Sequence, residues 1–565
     1  MTVPLAFGVF VVLVLFVLPA WQAWRSRTRL LERLRTEWGL PRTARRDMEA
    51  IADSFRSRDQ SAAVLDDRTW NDLLMDEVFA HLDRTESSVG QQMLYCRLRS
   101  APAPRALDAF DALVRDVTTD ASRRERAQVT LSRLRSSAGY YVHRLARPDA
   151  IDRPRWHVVY PLWTAAALLI MASAFLQPKL LVVALFCYLI NFFIRIINSR
   201  RAAGQIVWFR YVGPLLAAGA RLSGFDRNET AAITGTLKSD LAALSRLGRI
   251  ARWVSRDPLA TDPLAFVILE LLNVLFLLDT NALYLAASEL RSHGAQLLTV
   301  IETVGEIDAA MAIASFRTGT DGWIRPRFSS PDAPATFVDL RHLLLDEPVP
   351  NSIALAPPHG VVVTGSNMSG KSTFLRTVGV NAVLAQSIDT CLARRYEAPI
   401  YHVRSCIGRS DDLIAGKSYY LVEVESVLAL VAASEETTPH LFIFDELFRG
   451  TNAVERIAAG EAVLRALIAE GRRHVVLAAT HDAELVDLLR DRYVVYHLGD
   501  AIGPNGLTFD YRLTPGPATS RNAIALLKLS GAPESLVAHA LERAAELDRA
   551  RSRSSGLTAR GSTDD

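Results

Sequence analysis

Residues 361–373 constrain the fold of this chain more than any other stretch. Three valines at 361–363 lead through Thr364 into Gly365, Ser366, Asn367, Met368, Ser369, Gly370, Lys371, Ser372 and Thr373, after which a helical pattern resumes. Gly-x4-Gly-Lys-Ser behind an apolar strand and ahead of a helix is a P-loop in the setting its chemistry requires. The glycines let successive backbone N–H groups turn inward around phosphate oxygens, and the helix N-terminus adds partial positive charge. Lys371 is then expected to reach the β and γ phosphates of a bound nucleotide, and the Ser372 hydroxyl to ligate Mg²⁺.

The second half of such a site lies downstream. Residues 441–446 form a short apolar run ending in two carboxylates, as a buried strand would if it delivered acids to the C-terminal edge of a parallel sheet. Asp445 is expected to hold Mg²⁺ through water, and Glu446 to polarise the attacking water. Read alone, the pair could be exposed acids opening a helix. The bulky strand residues and the P-loop explain both carboxylates together. A further apolar run, 474–480, delivers His481. An isolated histidine is usually structural, but the repeated pattern of a strand followed by a polar residue places this one where it could sense a γ-phosphate.

These residues together resemble the MutS family, whose ATPase domain is related to that of ABC proteins. The resemblance is carried by residues 365–373, by Asp-Glu-Leu-Phe-Arg-Gly-Thr-Asn at 445–452 and by Ala-Thr-His-Asp-Ala-Glu-Leu at 479–485. Residues 409–427 are similar to the family's signature segment. The resemblance implies that Ser418 and its neighbours contact the γ-phosphate held by a second subunit, and that Arg449, Gly450, Thr451 and Asn452 lie at the same dimer interface. Asn367 and Met368 match the family's version of the loop, whereas Ser366 and Ser369 stand where proline and glycine are usual. Lys417 and Tyr419 replace a small polar pair. ATP and Mg²⁺ are the implied cofactors.

Composition matters because apolar content is concentrated. Over 565 residues, 50% are hydrophobic, and the mean hydropathy is +0.13, high for a purely soluble chain. Residues 4–24 are almost entirely apolar, long enough for about 30 Å of hydrocarbon, and are followed by Arg25, Arg27, Arg29, Arg33 and Arg35. That order is the reverse of a cleaved signal peptide and predicts an anchor with its N-terminus outside. Two further runs, 157–176 and 180–197, are separated by Gln177, Pro178 and Lys179 and predict a membrane hairpin with arginines on both flanks. The expected topology is therefore a multi-pass protein of the cell membrane with three crossings and a cytoplasmic ATPase domain. A fourth run, 264–278, is shorter, carries Glu270 and Asn273, and reads as a buried helix.

The expected fold class is multidomain α plus α/β. A MutS-like helical core and lever domain with transmembrane helices precedes an ABC-type P-loop ATPase domain. Its expected divisions are an anchor at 1–25, a cytoplasmic helical region at 26–152, a transmembrane hairpin at 153–200, a helical core and lever at 201–320, the ATPase domain at 321–547 and a disordered tail at 548–565. Residues 82–99 and 299–316 resemble the beginning of the family's helical core and its helix leading back to the ATPase. Residues 337–355 resemble the segment before the P-loop.

Charge does not identify a partner. Lys and Arg total 64 against 61 acids, a net charge of +3, and anionic lipids account for many of the arginines. Cys96, Cys187, Cys391 and Cys406 show neither zinc-ligand spacing nor a secreted disulfide pattern. No mismatch-reading wedge is recognisable. The leading expectation is a membrane-anchored, homodimeric ATPase that couples Mg-ATP hydrolysis to a conformational change, acting on a membrane partner or on DNA held near lipid. The alternatives are a direct mismatched-DNA-binding repair factor and a membrane adaptor whose ATPase stabilises assembly.

Overall fold

A computed structural model describes the chain except residues 1–17, 59–64, 152–158, 175, 202, 226, 255–270, 358–359, 367, 408–418, 470–471, 504–505, 519–523, 525–526, 529 and 559–565. The chain divides into two units. One comprises 1–64, 76–321 and 387–389; the other comprises 65–75, 322–386 and 390–565. A large helical N-terminal region is thus followed by a mixed α/β domain of ATPase type.

In the helical unit, the two segments expected to form the core meet directly. The helix Ser88–Arg99 begins at Ser87, whose hydroxyl accepts the Gly90 N–H at 3.0 Å. Asp308, on the 41-residue helix Leu278–Thr318, completes the cap. Its carboxylate accepts the Ser87 N–H at 2.7 Å, the Glu86 N–H at 3.0 Å and the Ser87 hydroxyl at 2.5 Å. A carboxylate beside a helix N-terminus meets unpaired donors and positive dipole charge.

Two glycines make this approach possible. A Cβ at Gly90 would lie 2.1 Å from Asp308 Oδ2, and one at Gly305 would lie 2.3 Å from Met93 Cγ. Elsewhere in the unit, Arg317 pairs with buried Asp111 at 2.6 Å and donates to the Asp389 carbonyl at 2.8 Å. The long helix bends at His293, which has non-helical φ −127° and ψ 24°, beside Gly294.

The apolar hairpin is present as the helices Val159–Ala174 and Leu181–Arg201, joined through a short turn at Pro178–Leu180. The Trp163 indole N–H donates to Asn191 at 2.7 Å, and Asn191 donates to the Leu275 carbonyl at 3.0 Å. Among the described residues, Pro178–Ile197 is the one helix long and apolar enough to cross a bilayer. Val159–Ala174 has 16 described residues, roughly 24 Å at 1.5 Å per residue, and is flanked on both sides by positions outside the described residues, 152–158 and 175. Of the three expected crossings, the described residues thus support one span of sufficient length, and they do not show the multi-pass topology. Residues 4–17 of the first run lie outside the described residues, as do 264–270 of the run at 264–278.

Some of the arginines assigned to a membrane flank have protein partners. Arg33 pairs with buried Glu86 at 3.2 Å, and Arg35 with Glu125 at 2.7 Å. At the C-terminus the helix Glu534–Thr558 runs into the segment 548–565, of which 559–565 lie outside the described residues. Cys96, Cys187, Cys391 and Cys406 are free and buried.

Among the described residues, the second unit contains twelve strands. They are β1 (Trp323–Ile324), β2 (Arg327–Phe328), β3 (Ala335–Leu340), β4 (Asn351–Leu355), β5 (Gly360–Thr364), β6 (Cys391–Leu392), β7 (Arg395–Ala398), β8 (His402–Cys406), β9 (His440–Asp445), β10 (Val475–Ala479), β11 (Tyr493–Gly503) and β12 (Gly506–Pro515). The main sheet has the order β12-β11-β5-β10-β9-β8. All neighbours are parallel except the β11–β12 hairpin.

The strands β5 and β10 are buried throughout, as is β9 up to Asp445, which explains their nearly unbroken Val, Leu, Ile, Phe and Ala content. Phe442, Phe444, Val476 and Leu464 lie in the same core. The segment Leu65–Met75 supports this unit from far upstream. Buried Asp72 accepts the Ser405 hydroxyl at 2.8 Å and the Ile407 N–H at 2.9 Å, while Arg376 donates to its carbonyl at 2.8 Å.

Candidate nucleotide site

The parallel strands bring the predicted residues to one sheet edge. β5 ends at Thr364 and opens into the glycine loop; the helix Lys371–Ile388 follows. Gly365 and Gly370 have φ +147° and +97°, and a Cβ at Gly365 would meet Ser369 Oγ at 2.7 Å and the Leu498 carbonyl at 3.0 Å. Met368 adopts φ 75° without being glycine and is 81% exposed, so this apolar side chain stands clear of the loop. Asn367 lies outside the described residues.

β9 ends at Asp445, level with Ala479 at the end of β10. The Ser372 hydroxyl hydrogen-bonds Asp445 Oδ2, joining the P-loop helix to the acidic strand end. Burial pushes the Asp445 carboxyl up, while the Ser372 hydrogen bond pulls it back. Glu446 follows with φ 51°, a strained backbone of the kind that persists where surrounding contacts enforce it. His481 Nδ1 lies 3.2 Å from Glu446 Oε1, Arg449 lies 2.6 Å from Oε2, and Lys371 Nζ lies 4.0 Å from Oε1. The His481 hydrogen bond, more than the surrounding positive charge, holds the Glu446 carboxyl below its ordinary range. The same hydrogen bond raises His481.

The loop's hydrogen bonding is suited to an anion. Lys371 Nζ donates to the Gly365 and Ser366 carbonyls, both at 2.9 Å, so the cation is held within the loop that would receive phosphate. Among the described residues, buried Ser366 Oγ and Ser369 Oγ have no hydrogen-bond partner. These hydroxyls, the glycine-lined cradle and the Ser372–Asp445 oxygen pair fit a nucleotide phosphate with a hard divalent cation.

A cavity of about 610 Å³ extends from the loop past Asp445, Glu446 and Arg449 to Leu345, Pro348, Val349 and Tyr511. The sequence reading missed this second wall. Tyr511 is on β12 and packs 3.1 Å from where a Gly370 Cβ would stand. Asn351 fixes that strand by donating to the Tyr511 carbonyl at 2.9 Å and accepting the Leu513 N–H at 2.7 Å. Its only local signal was that 337–355 resembled a family segment.

Residues expected at a subunit interface are placed individually. Arg449 is exposed but its guanidinium turns to Glu446 of the same chain. Gly450 is exposed. Asn452 caps the helix Ala453–Leu467 by accepting the Glu455 N–H, and Thr451 donates to Glu455. Ser418 and 408–417 lie outside the described residues.

A glycine phosphate loop at the end of one parallel strand, with acids at the end of the next strand but one, defines the P-loop ATPase class. Residues 361–548 match the family model for MutS domain V, so this chain carries a MutS-family ATPase domain. It is 34% identical over 241 residues to the DNA mismatch repair protein MutS of Thermus aquaticus, a match covering 42% of this chain and 29% of that protein. Over 267 residues it is 32% identical to the same-named protein of Lactococcus lactis subsp. cremoris, covering 46% and 31%. The counterpart in Roseiflexus sp. is 34% identical over 285 residues, covering 48% and 26%. The matched region spans less than a third of each of these relatives.

Proposed function

We propose that the chain binds Mg-ATP in this cavity and hydrolyses it to ADP and phosphate. The observation that carries the reading is the convergence of Ser372, Asp445 and Glu446 beside a loop with two unpartnered serine hydroxyls. Loop N–H groups and Lys371 bind the phosphates, and Leu345, Pro348, Val349 and Tyr511 supply an apolar wall for the base. Bound Mg²⁺, held by Ser372 and by Asp445 through water, would neutralise phosphate charge. Glu446 accepts a proton from the attacking water once its oxygens are released from His481 and Arg449. His481 then faces the γ-phosphate.

In this reading two copies close on nucleotide, with Ser418 of one reaching the phosphate held by the other and 449–452 lining the interface. Closure and hydrolysis would drive a conformational change in the helical region. The exposed apolar surface of Pro178–Ile197 supports membrane association, with lipid and a membrane protein as partners. DNA is the rival partner because the relatives are named DNA mismatch repair proteins.

The direct test is phosphate release by the detergent-purified chain and by Lys371→Ala. The native protein should turn over ATP with a rate per chain that rises with protein concentration, and the variant should lose ATP binding. Equal turnover by both would reject the site; a concentration-independent rate would reject its completion by a second copy. ATPase stimulation selective for mismatched over homoduplex DNA would favour the repair reading.

A further inference from the structure

At the start of β9, on the opposite end of the strand from Asp445, three side chains converge that the nucleotide site does not use. We propose that His402, Glu436 and His440 form a binding site for a divalent transition-metal ion, with Zn²⁺ the best match, that ties β8 to β9. Among the described residues, their ligand atoms lie within 4.8 Å of one another. His440 and Asp445 bound the six-residue strand, so the two sites are roughly 16 Å apart along it at about 3.3 Å per residue.

The register creates the cluster. His402 on β8 is paired with His440 on β9, and their rings meet edge to face at 5.2 Å and 84°. Glu436 enters from the turn following the helix Tyr419–Ala433. Its Oε2 lies 3.6 Å from His440 Nε2 and 3.9 Å from His402 Nδ1.

The hydrogen bonds distinguish ligands from supports. His440 is fully buried, and its Nδ1 lies 2.8 Å from the Thr438 carbonyl. Donation there leaves Nε2 as a bare lone pair aimed at Glu436, the arrangement by which a carbonyl orients a metal-binding imidazole. Neither His440 Nε2 nor His402 Nδ1 has a hydrogen-bond partner among the described residues. His474 differs: it accepts the His440 N–H at 3.2 Å and donates to the Ser434 carbonyl at 2.8 Å, so it buttresses the site.

Of the nearby cations, Arg404 is directed to Asp66 at 2.7 Å and Arg472 to Glu435 at 2.5 Å.

Two imidazoles and one carboxylate suit zinc and its neighbours, whereas Mg²⁺ prefers an all-oxygen shell. Tetrahedral ligand atoms around zinc stand about 3.3–3.5 Å apart, so movements of roughly 1 Å by the Glu436 carboxylate and the His402 ring would close the set around one ion. Glu436 is 52% exposed and free to make that movement. Water would supply the fourth ligand. An ion here would fasten edge strand β8 to β9 and to the end of the preceding helix.

The test is titration of the full chain, purified in detergent and stripped with chelator, with Zn²⁺ and then with Co²⁺. One Zn²⁺ per chain should bind in excess Mg²⁺ and raise the unfolding midpoint, and Co²⁺ should give the intense visible bands of a tetrahedral site. His402→Ala and the surface change Glu436→Gln should each weaken zinc binding by about tenfold or more, while Glu435→Gln keeps it. Circular dichroism would confirm that Glu436→Gln is folded. Absence of stoichiometric zinc binding, or equal affinity in the folded native, Glu436→Gln and Glu435→Gln proteins, would overturn the proposal.

Discussion

Glu446 holds a strained backbone while its two carboxylate oxygens face His481 and Arg449. In this arrangement the carboxylate is engaged, so the proposed role as proton acceptor requires a change in its partners. Ser372 is the more direct handle on the proposed Mg²⁺ site because its hydroxyl faces Asp445 at the helix N-terminus. Ser372→Ala should leave ATP affinity in chelator nearly unchanged while removing most of the gain that Mg²⁺ brings. Fluorescent-ATP titrations with and without Mg²⁺ would show this, and an unchanged magnesium gain would remove Ser372 from the cation site. Gly365→Ala acts on the loop itself. With φ +147° and a 2.7 Å approach to Ser369 Oγ, it should weaken ATP binding on the order of tenfold. Native affinity in that variant would show that the loop conformation is not required.

The contact between the helices Ser88–Arg99 and Leu278–Thr318 depends on a buried acid. Burial pushes Asp308 up to about 7, despite hydrogen bonds from Glu86 and Ser87 that favour its charged form. The folded protein therefore retains a proton that the unfolded chain, with a carboxyl near 3.8, releases over the intervening pH range. Asp308 contributes most stability below that range and loses it as pH rises through about 7. The stability difference between the native protein and Asp308→Asn should shrink from pH 5 to pH 8 by on the order of 2 kcal/mol in urea unfolding; a pH-independent difference would contradict it. Gly90→Ala should destabilise by about 1–3 kcal/mol in the same assay, because its Cβ would strike Asp308. At this scale the sequence was informative where signals were local. The P-loop, the acids ending β9 and His481 after β10 each follow their own apolar run, so parallel pairing assembles them. Tyr511 reaches the loop only through the β11–β12 hairpin and Asn351, and Leu65–Met75 joins the ATPase unit from nearly 300 residues away. His402, Glu436 and His440 meet through strand register, which spacing alone does not disclose. Apolar content at 157–176 suggested a crossing, and the described part of that run, Val159–Ala174, is helical throughout.

For the whole molecule, a helical region and a MutS-family ATPase domain share a chain that carries, among its described residues, one bilayer-length apolar helix. Leu185 and Leu189 are exposed on that helix at 61% and 44%. If lipid covers them, the protein should remain with membranes after alkaline washing, and lysine at both positions should release it, since each charge costs about 2.5–3.5 kcal/mol near a span centre. Unaltered membrane retention would place the association elsewhere. Sedimentation should show a shift from monomer to dimer on addition of Mg-ATP; an unchanged monomer would exclude nucleotide-driven closure of two copies. The central claim is ATP hydrolysis through Glu446, and the most direct measurement compares ATP binding with single-turnover hydrolysis in the native protein and Glu446→Gln. The amide should preserve binding within about twofold and slow hydrolysis by about a hundredfold or more, the usual contribution of a positioned general base. Native-rate hydrolysis by Glu446→Gln would contradict the account.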